Sequence, residues 1–196
     1  MKEPGSTEDG KLLARFVATF RVLDDTVLFE GLDLAAIPLA TGGSDELGFG
    51  HWEPRAVNTP RSTLSGLYER LPAKFPPLYE ELVLSYRWAE VDLGLVTLFA
   101  NPVDPDFSGL TQSIFRDPGL VEMLLANGLL QFGKAGGGGY DPICFDTRAR
   151  GKHGDAPVVR VDHEEILCNH RLEVAEQVAP TFRALVDAII ARAADA

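Results

Sequence analysis

Three short apolar runs lie close together in the second half of the chain: LLQFGK at 129–134, PICFDT at 142–147 and APVVRV at 156–161. Each has the length of a strand and is rich in β-branched, aromatic or other apolar residues. The connectors between them are short and glycine-bearing, with four glycines in a row from Gly136 to Gly139. Parallel neighbours need crossovers of a dozen or more residues, so connectors this short call for antiparallel pairing. Whatever else the chain does, it must pack its remaining elements on this meander. Its 196 residues are enough for one domain with a sizeable core.

Those remaining elements read mainly as helices. Ser62 or Thr63 can cap a short helix through Leu71. Pro76 or Pro77 suits a first helical turn, and Leu78, Leu82, Val83 and Tyr86 form the apolar stripe that follows. LGLVTLFANP at 93–102 reads as a strand ended by Asn-Pro. Asp117 caps, Pro118 opens and Asn127-Gly128 stops a further helix. HEEILC forms about one helical turn, and residues 179–194 a last helix with Phe182, Leu185, Val186, Ile189 and Ile190 facing the core. This order predicts an α+β fold with a largely antiparallel sheet packed against helices. Residues 61–196 carry that domain. Residues 1–60 form an N-terminal extension or extra layer: a disordered tail over 1–11, a helix or strand from Leu12 to Phe20, mixed apolar pairs over 24–39, and a glycine-rich loop over 41–55.

Charge narrows the function classes. Acidic residues outnumber basic ones 29 to 18, a formal net charge of 18 − 29 = −11. Such a chain repels nucleic-acid backbones and anionic membrane surfaces. A basic protein partner suits it, and so does a simple role in solubility. Cys144 and Cys168 make no metal-type pair and fit reduced thiols. The N-terminus lacks the apolar core of a signal peptide, and no apolar run approaches a bilayer span. The expectation is a soluble cytoplasmic protein without a cofactor.

Several motifs come close to known chemistry and fall short. Gly128, Gly133 and Lys134 have the spacing of a phosphate-binding loop. The intervening residues are Leu129, Leu130, Gln131 and Phe132, however, and Ala135 stands where a metal-binding hydroxyl is needed. The helix also precedes the motif instead of following it. VDHEEILCNH at 161–170 is dense in donors. Four residues after His163 stands Leu167, which defeats a zincin pattern, and no downstream cysteine pair completes a deaminase. A site of Asp146, Asp162, His163 and His170, with Cys168, stays open as a metal-dependent alternative; against it, Asp162 simply caps the HEEIL turn. Cys144 and His163 could form a nucleophile and base, but Cys144 lies mid-strand between apolar residues. Trp88 beside Glu90 and Asp92 has the composition of a protein-binding hot spot, or else Trp88 closes the core.

Four segments in order, LPAKFPPLYEELV, GGGGYDPICFD, APVVRVDHEEI and VAPTFRALVDAII, resemble the SUKH superfamily. That group includes a fungal cell-wall synthesis regulator and many bacterial immunity proteins. The resemblance spans about residues 64–190 and leaves the first 60 outside it. It implies a curved sheet packed against helices and a non-enzymatic role in binding another protein. For an immunity protein that partner is a cognate toxin, such as a nuclease or deaminase, neutralised by occlusion. For the fungal branch the role is that of a regulatory scaffold. The resemblance carries over no catalytic residue. The residues placed at a partner-facing surface are Trp88, Glu90, Asp92, Gly137, Gly138, Tyr140, Asp162, His163 and Glu164.

Overall fold

The three apolar runs form strands, and three further strands join them in a single antiparallel sheet. The computed structural model describes residues 7–23, 27–28, 39–44, 50–103 and 106–196. In chain order the helices are α1 (Glu8–Ala18), α2 (Phe20–Leu23), α3 (Ser65–Tyr68), α4 (Pro77–Ser85), α5 (Ser108–Ile114), α6 (Pro118–Ala126), α7 (His163–Asn169) and α8 (Phe182–Ala194). The strands are β1 (Val27–Leu28), β2 (Ala40–Ser44), β3 (Gly50–Trp52), β4 (Arg55–Ala56), β5 (Tyr86–Arg87), β6 (Val91–Asp92), β7 (Val96–Leu98), β8 (Leu129–Ala135), β9 (Pro142–Asp146), β10 (Val158–Val161) and β11 (Val174–Ala179). Strands β6 to β11 lie side by side in the order β11-β10-β9-β8-β7-β6, each antiparallel to the next. Two smaller sheets, β1-β3-β2 and β4-β5, complete an α+β fold.

Because side chains alternate along a strand, the large sheet has two faces to bury. Leu98, Leu130, Phe132, Phe145 and Val158 belong to the larger core with Phe16 of α1, Tyr79 and Leu82 of α4, and Phe182 and Val186 of α8. Leu129, Cys144, Val159 and Val161 meet Leu120 and Leu124 of α6 and Ile166 of α7 in a smaller core. At the centre of the larger core, the rings of Phe132 and Phe145 stack with centroids 4.1 Å apart and planes 12° from parallel. Tyr79 lies 5.3 Å from Phe132, 5.2 Å from Phe145 and 5.2 Å from Phe182, meeting Phe182 edge-on. Offset and edge-to-face arrangements of this kind add about 1 kcal/mol per pair beyond the area buried. The Tyr79 hydroxyl is buried with no hydrogen-bond partner among the described residues, and burial pushes its acidity far down.

The helix termini follow from local chemistry. Thr7 caps α1 by accepting from the Gly10 N–H, so residues 8–11 are helical and not tail; residues 1–6 lie outside the described residues. The open choice over residues 12–20 resolves to helix, interrupted only at Thr19. Phe16 then reaches Phe182 with ring centroids 6.2 Å apart, so this N-terminal segment enters the same core as the sheet. Asp117 accepts from the Gly119 and Leu120 N–H groups at the start of α6, and Gly128 takes φ +68° just past its end.

Elsewhere the expected boundaries move. α4 stops at Ser85, and Tyr86 is extended, because the side chains of Asn101 and Arg87 take up the Val83 and Tyr86 carbonyls. The expected strand over 93–102 shortens to β7, since Gly94 turns the chain at φ +79° between β6 and β7. Neither Ser62 nor Thr63 caps a helix: a 3-10 turn at Arg61–Leu64 runs directly into α3. The glycine-rich stretch expected as a loop over 41–55 holds strands β2 and β3 and begins β4. The expected apolar pairs over 29–38, and residues 45–49 of that stretch, lie outside the described residues. Helix α5 and strand β11 carry no clear periodicity; β11 takes its form by pairing with β10 across two register shifts.

The buried ring cluster makes a paired test of packing against polarity. Replacing Phe132 by Ala removes a stacked, fully buried ring and costs about 3–5 kcal/mol. Replacing Tyr79 by Phe keeps the ring and removes the unpartnered hydroxyl, raising stability by about 1 kcal/mol. Urea unfolding of both variants measures the two changes.

Candidate functional site

The β8–β9 hairpin turns at Gly136 to Gly139 and carries the most exposed large apolar side chain among the described residues. Gly137 and Gly138 adopt φ +67° and +82°, the two positive values that a type I′ hairpin turn requires. Tyr140 follows and is 76% exposed. The tip is braced against its neighbours. One carboxylate, that of Asp92, accepts from the Gly94 N–H at 2.8 Å and from the Gly137 N–H at 2.7 Å. It therefore ties the β6–β7 turn to the β8–β9 turn. A side chain at Gly136 would meet the Gly94 carbonyl oxygen at 2.3 Å, so glycine there is needed for close backbone approach.

The other end of the turn is held by Asp141. Its backbone carbonyl accepts from Ala135 N–H at 2.8 Å. Its Oδ1 accepts from the His163 backbone N–H at 3.2 Å and lies 2.7 Å from His163 Nδ1. Its Oδ2 lies 3.6 Å from Arg160 Nε. The Tyr140 and His163 rings are neighbours, with centroids 6.1 Å apart. Asp162 caps α7 by accepting from the Glu165 N–H at 3.1 Å, and Glu164 is exposed on the first turn. Tyr140 also lines a concavity of about 180 Å³, together with Glu90, Phe99, Arg116, Gln131 and Lys134 among others.

The residues read as partner-facing therefore divide. Gly137, Gly138, Tyr140, Asp162, His163 and Glu164 converge on one end of the sheet. Glu90 is there too, but it pairs with Lys134 at 2.9 Å. Asp92 is spent on the turns. Trp88 does not belong to the surface: it is fully buried, and its indole N–H donates to the Phe99 carbonyl at 3.0 Å. The residue that sequence reasoning missed is Asp141. Nothing in its spacing points to a contact with His163, 22 positions later.

The four-residue metal reading is corrected. Asp146, Asp162, His163 and His170 do not form a cluster. Asp146 caps the turn at Thr147–Ala149 and grips Arg148 through two 2.8 Å bonds. His170 ends α7 at φ +51° and is exposed, as is Cys168. The one grouping of three such ligands among the described residues is Asp141, Asp162 and His163, with one donor atom from each within 4.8 Å of the others. Its donors already serve the α7 cap and the hairpin, and the Arg160 guanidinium supplies the cation. Cys144 is fully buried in the smaller core. Burial, reinforced by the charge of Asp146, pushes its thiol far up, which keeps it from being a thiolate nucleophile. Lys134 lies within β8 and faces Glu90, which disposes of the phosphate-loop spacing.

No helix among the described residues is long and apolar enough to cross a membrane. In comparisons with family models, curated proteins and solved structures, the chain matched none.

Two variants test the local chemistry. Gly136→Ala forces the hairpin away from Gly94 and costs about 1–3 kcal/mol, as overpacking does, measured by chemical denaturation. The hydrogen bonds from Arg148 hold the Asp146 carboxyl below its usual range, against an opposing effect of burial. A carboxyl lowered on folding stabilises the fold above its unfolded value of about 3.9, and that contribution disappears as pH falls through the folded value. Asp146→Asn is therefore less stable than the parent at neutral pH, and the difference narrows on acidification below about pH 4 in melts across that range.

Proposed function

We propose that this chain is a non-enzymatic protein-binding domain whose contact surface centres on Tyr140. The carrying observation is a large aromatic side chain, 76% exposed, on a turn held by two aspartates. A tyrosine displayed in this way loses little conformational freedom on binding and buries a large area, which is the chemistry of an interface anchor. Preorganisation of the turn lowers the ordering cost that a mobile loop would bring. Glu164, Asp162 and Asp141 stand beside it on a chain of net charge −11, so a basic partner surface is complementary.

The resemblance to the SUKH superfamily, carried by the order and spacing of its four segments, takes this reading further. It supports an immunity-type role inside the cell, in which the domain occludes a basic toxin such as a nuclease or deaminase. Assembly as a regulatory scaffold is the alternative within the same resemblance.

Affinity purification from the native host, with wild-type and Tyr140→Ala baits, separates these readings. Wild type retains a basic protein in stoichiometric amount, and the variant weakens that binding by about 2 kcal/mol, near thirtyfold, with its melting temperature unchanged. A large assembly on both baits favours the scaffold. Equal retention of the basic partner by both baits overturns the assignment of the surface to Tyr140.

A further inference from the structure

A second concavity shares no lining residue with the Tyr140 site among the described residues. Its volume is about 460 Å³, and it is lined by Arg61, Ser62, Ser65, Tyr68, Glu69 and Lys74. Small-molecule sites run from about 300 to 1,000 Å³, a range that the concavity beside Tyr140 does not reach. A further hollow of about 480 Å³ between α6 and α7 also falls in that range. Among the described residues its side chains, Glu122, Met123, Ile166 and His170 among them, include no lysine or arginine.

The lining is built from the inside. Glu80 is buried in α4, with a side chain only 7% exposed. Both its carboxylate oxygens are used: Arg61 Nε bonds Oε1 at 2.7 Å, and the Tyr68 hydroxyl donates to Oε2. The carboxylate thus fixes the guanidinium by one edge and commits the phenol inward, so that Tyr68 offers its ring and not its hydroxyl. Lys74 stands over that ring, with Nζ 6.0 Å from the centroid, and makes no ion pair among the described residues. Its backbone is held by Arg150, whose Nη2 donates to the Lys74 carbonyl. Ser62 and Ser65 are exposed beside Arg61. The arrangement sets two cations and two hydroxyls around an aromatic face, on a protein that is otherwise strongly acidic.

We infer that this depression binds a small phosphomonoester carrying a planar ring, with the phosphate between Arg61 and Lys74 and the ring against Tyr68. An arginine anchored through Nε keeps its terminal N–H groups for an anion, and lysine adds a mobile point charge. The serine hydroxyls donate to the remaining phosphate oxygens. Glu69, which also lines the depression, disfavours a second anionic group beside it.

Titration of the full chain with phenyl phosphate, followed by calorimetry and by amide chemical shifts at Ser62, Ser65 and Lys74, tests this. Saturable binding with a Kd of about 1 mM or tighter is expected, with inorganic phosphate about tenfold weaker. Lys74→Glu weakens phenyl phosphate by about tenfold or more and leaves the melting temperature unchanged, because Lys74 is exposed. Arg61→Ala is the less clean variant, since it strands a buried carboxylate. Absence of saturation, or equal binding by Lys74→Glu, overturns the site. Equal affinity for inorganic phosphate overturns the place given to the ring. A phosphotyrosine peptide binding about tenfold tighter than phenyl phosphate overturns the small-ligand assignment in favour of a phosphorylated protein.

Discussion

The stacking of Phe132 on Phe145 fixes the register of β8 against β9, and the rest of the structure depends on that register. A slip of either strand by one residue would turn its ring away from Tyr79 and Phe182. With the register set, α4 and α8 have a surface to cover, and α1 has Phe182 to meet. The same constraint reaches the far end of the hairpin. Because β8 ends at Ala135 and β9 begins at Pro142, the glycine turn must fall between them and close to Gly94. The core thereby decides where Tyr140 is displayed.

Two acidic residues convert that placement into rigidity. Asp92 bridges two turns with one carboxylate, and Asp141 joins the hairpin to the start of α7. Negative charge that composition alone would assign to solubility or to a partner is here partly internal. Glu90 is likewise occupied, by Lys134, and Glu80 by Arg61 and Tyr68. What stays outward near Tyr140 is a smaller set, with Glu164 on the first turn of α7 its clearest member. Asp92, Asp141, Asp162 and His163 hold the turns and the α7 cap, and the thiol of Cys144 is sealed in the core.

The meander was legible because it is local: strand-length apolar runs and a four-glycine connector leave little choice of topology. The α6 boundaries were legible for the same reason, since Asp117, Pro118 and Gly128 each act within a turn of their own position. What escaped was non-local. α4 ends where it does because Asn101, well over a turn away in sequence, reaches its last carbonyls. Strand β11, VAEQVA, has no apolar alternation and exists by pairing with β10. The glycine turn before Tyr140 and the Asp162 cap ahead of His163 were readable from their loop and cap positions. Trp88 was readable either as a hot spot or as a residue closing the core, and the core reading holds. The link from Asp141 to His163 depends on the folded sheet and leaves no periodic trace. The basic lining around Tyr68 was hidden for a similar reason: Arg61, Tyr68, Lys74 and Glu80 meet only after α3 packs on α4.

The central claim is that recognition takes place at the hairpin end of the sheet. Amide hydrogen exchange on the isolated complex with the native partner tests it most directly. Protection gained on binding is predicted at residues 136–141 and 162–164, with strand β11 and helix α8 unchanged. Protection confined to β11, α8 or the α3–α4 surface, with the hairpin end exchanging as in the free protein, would contradict the account.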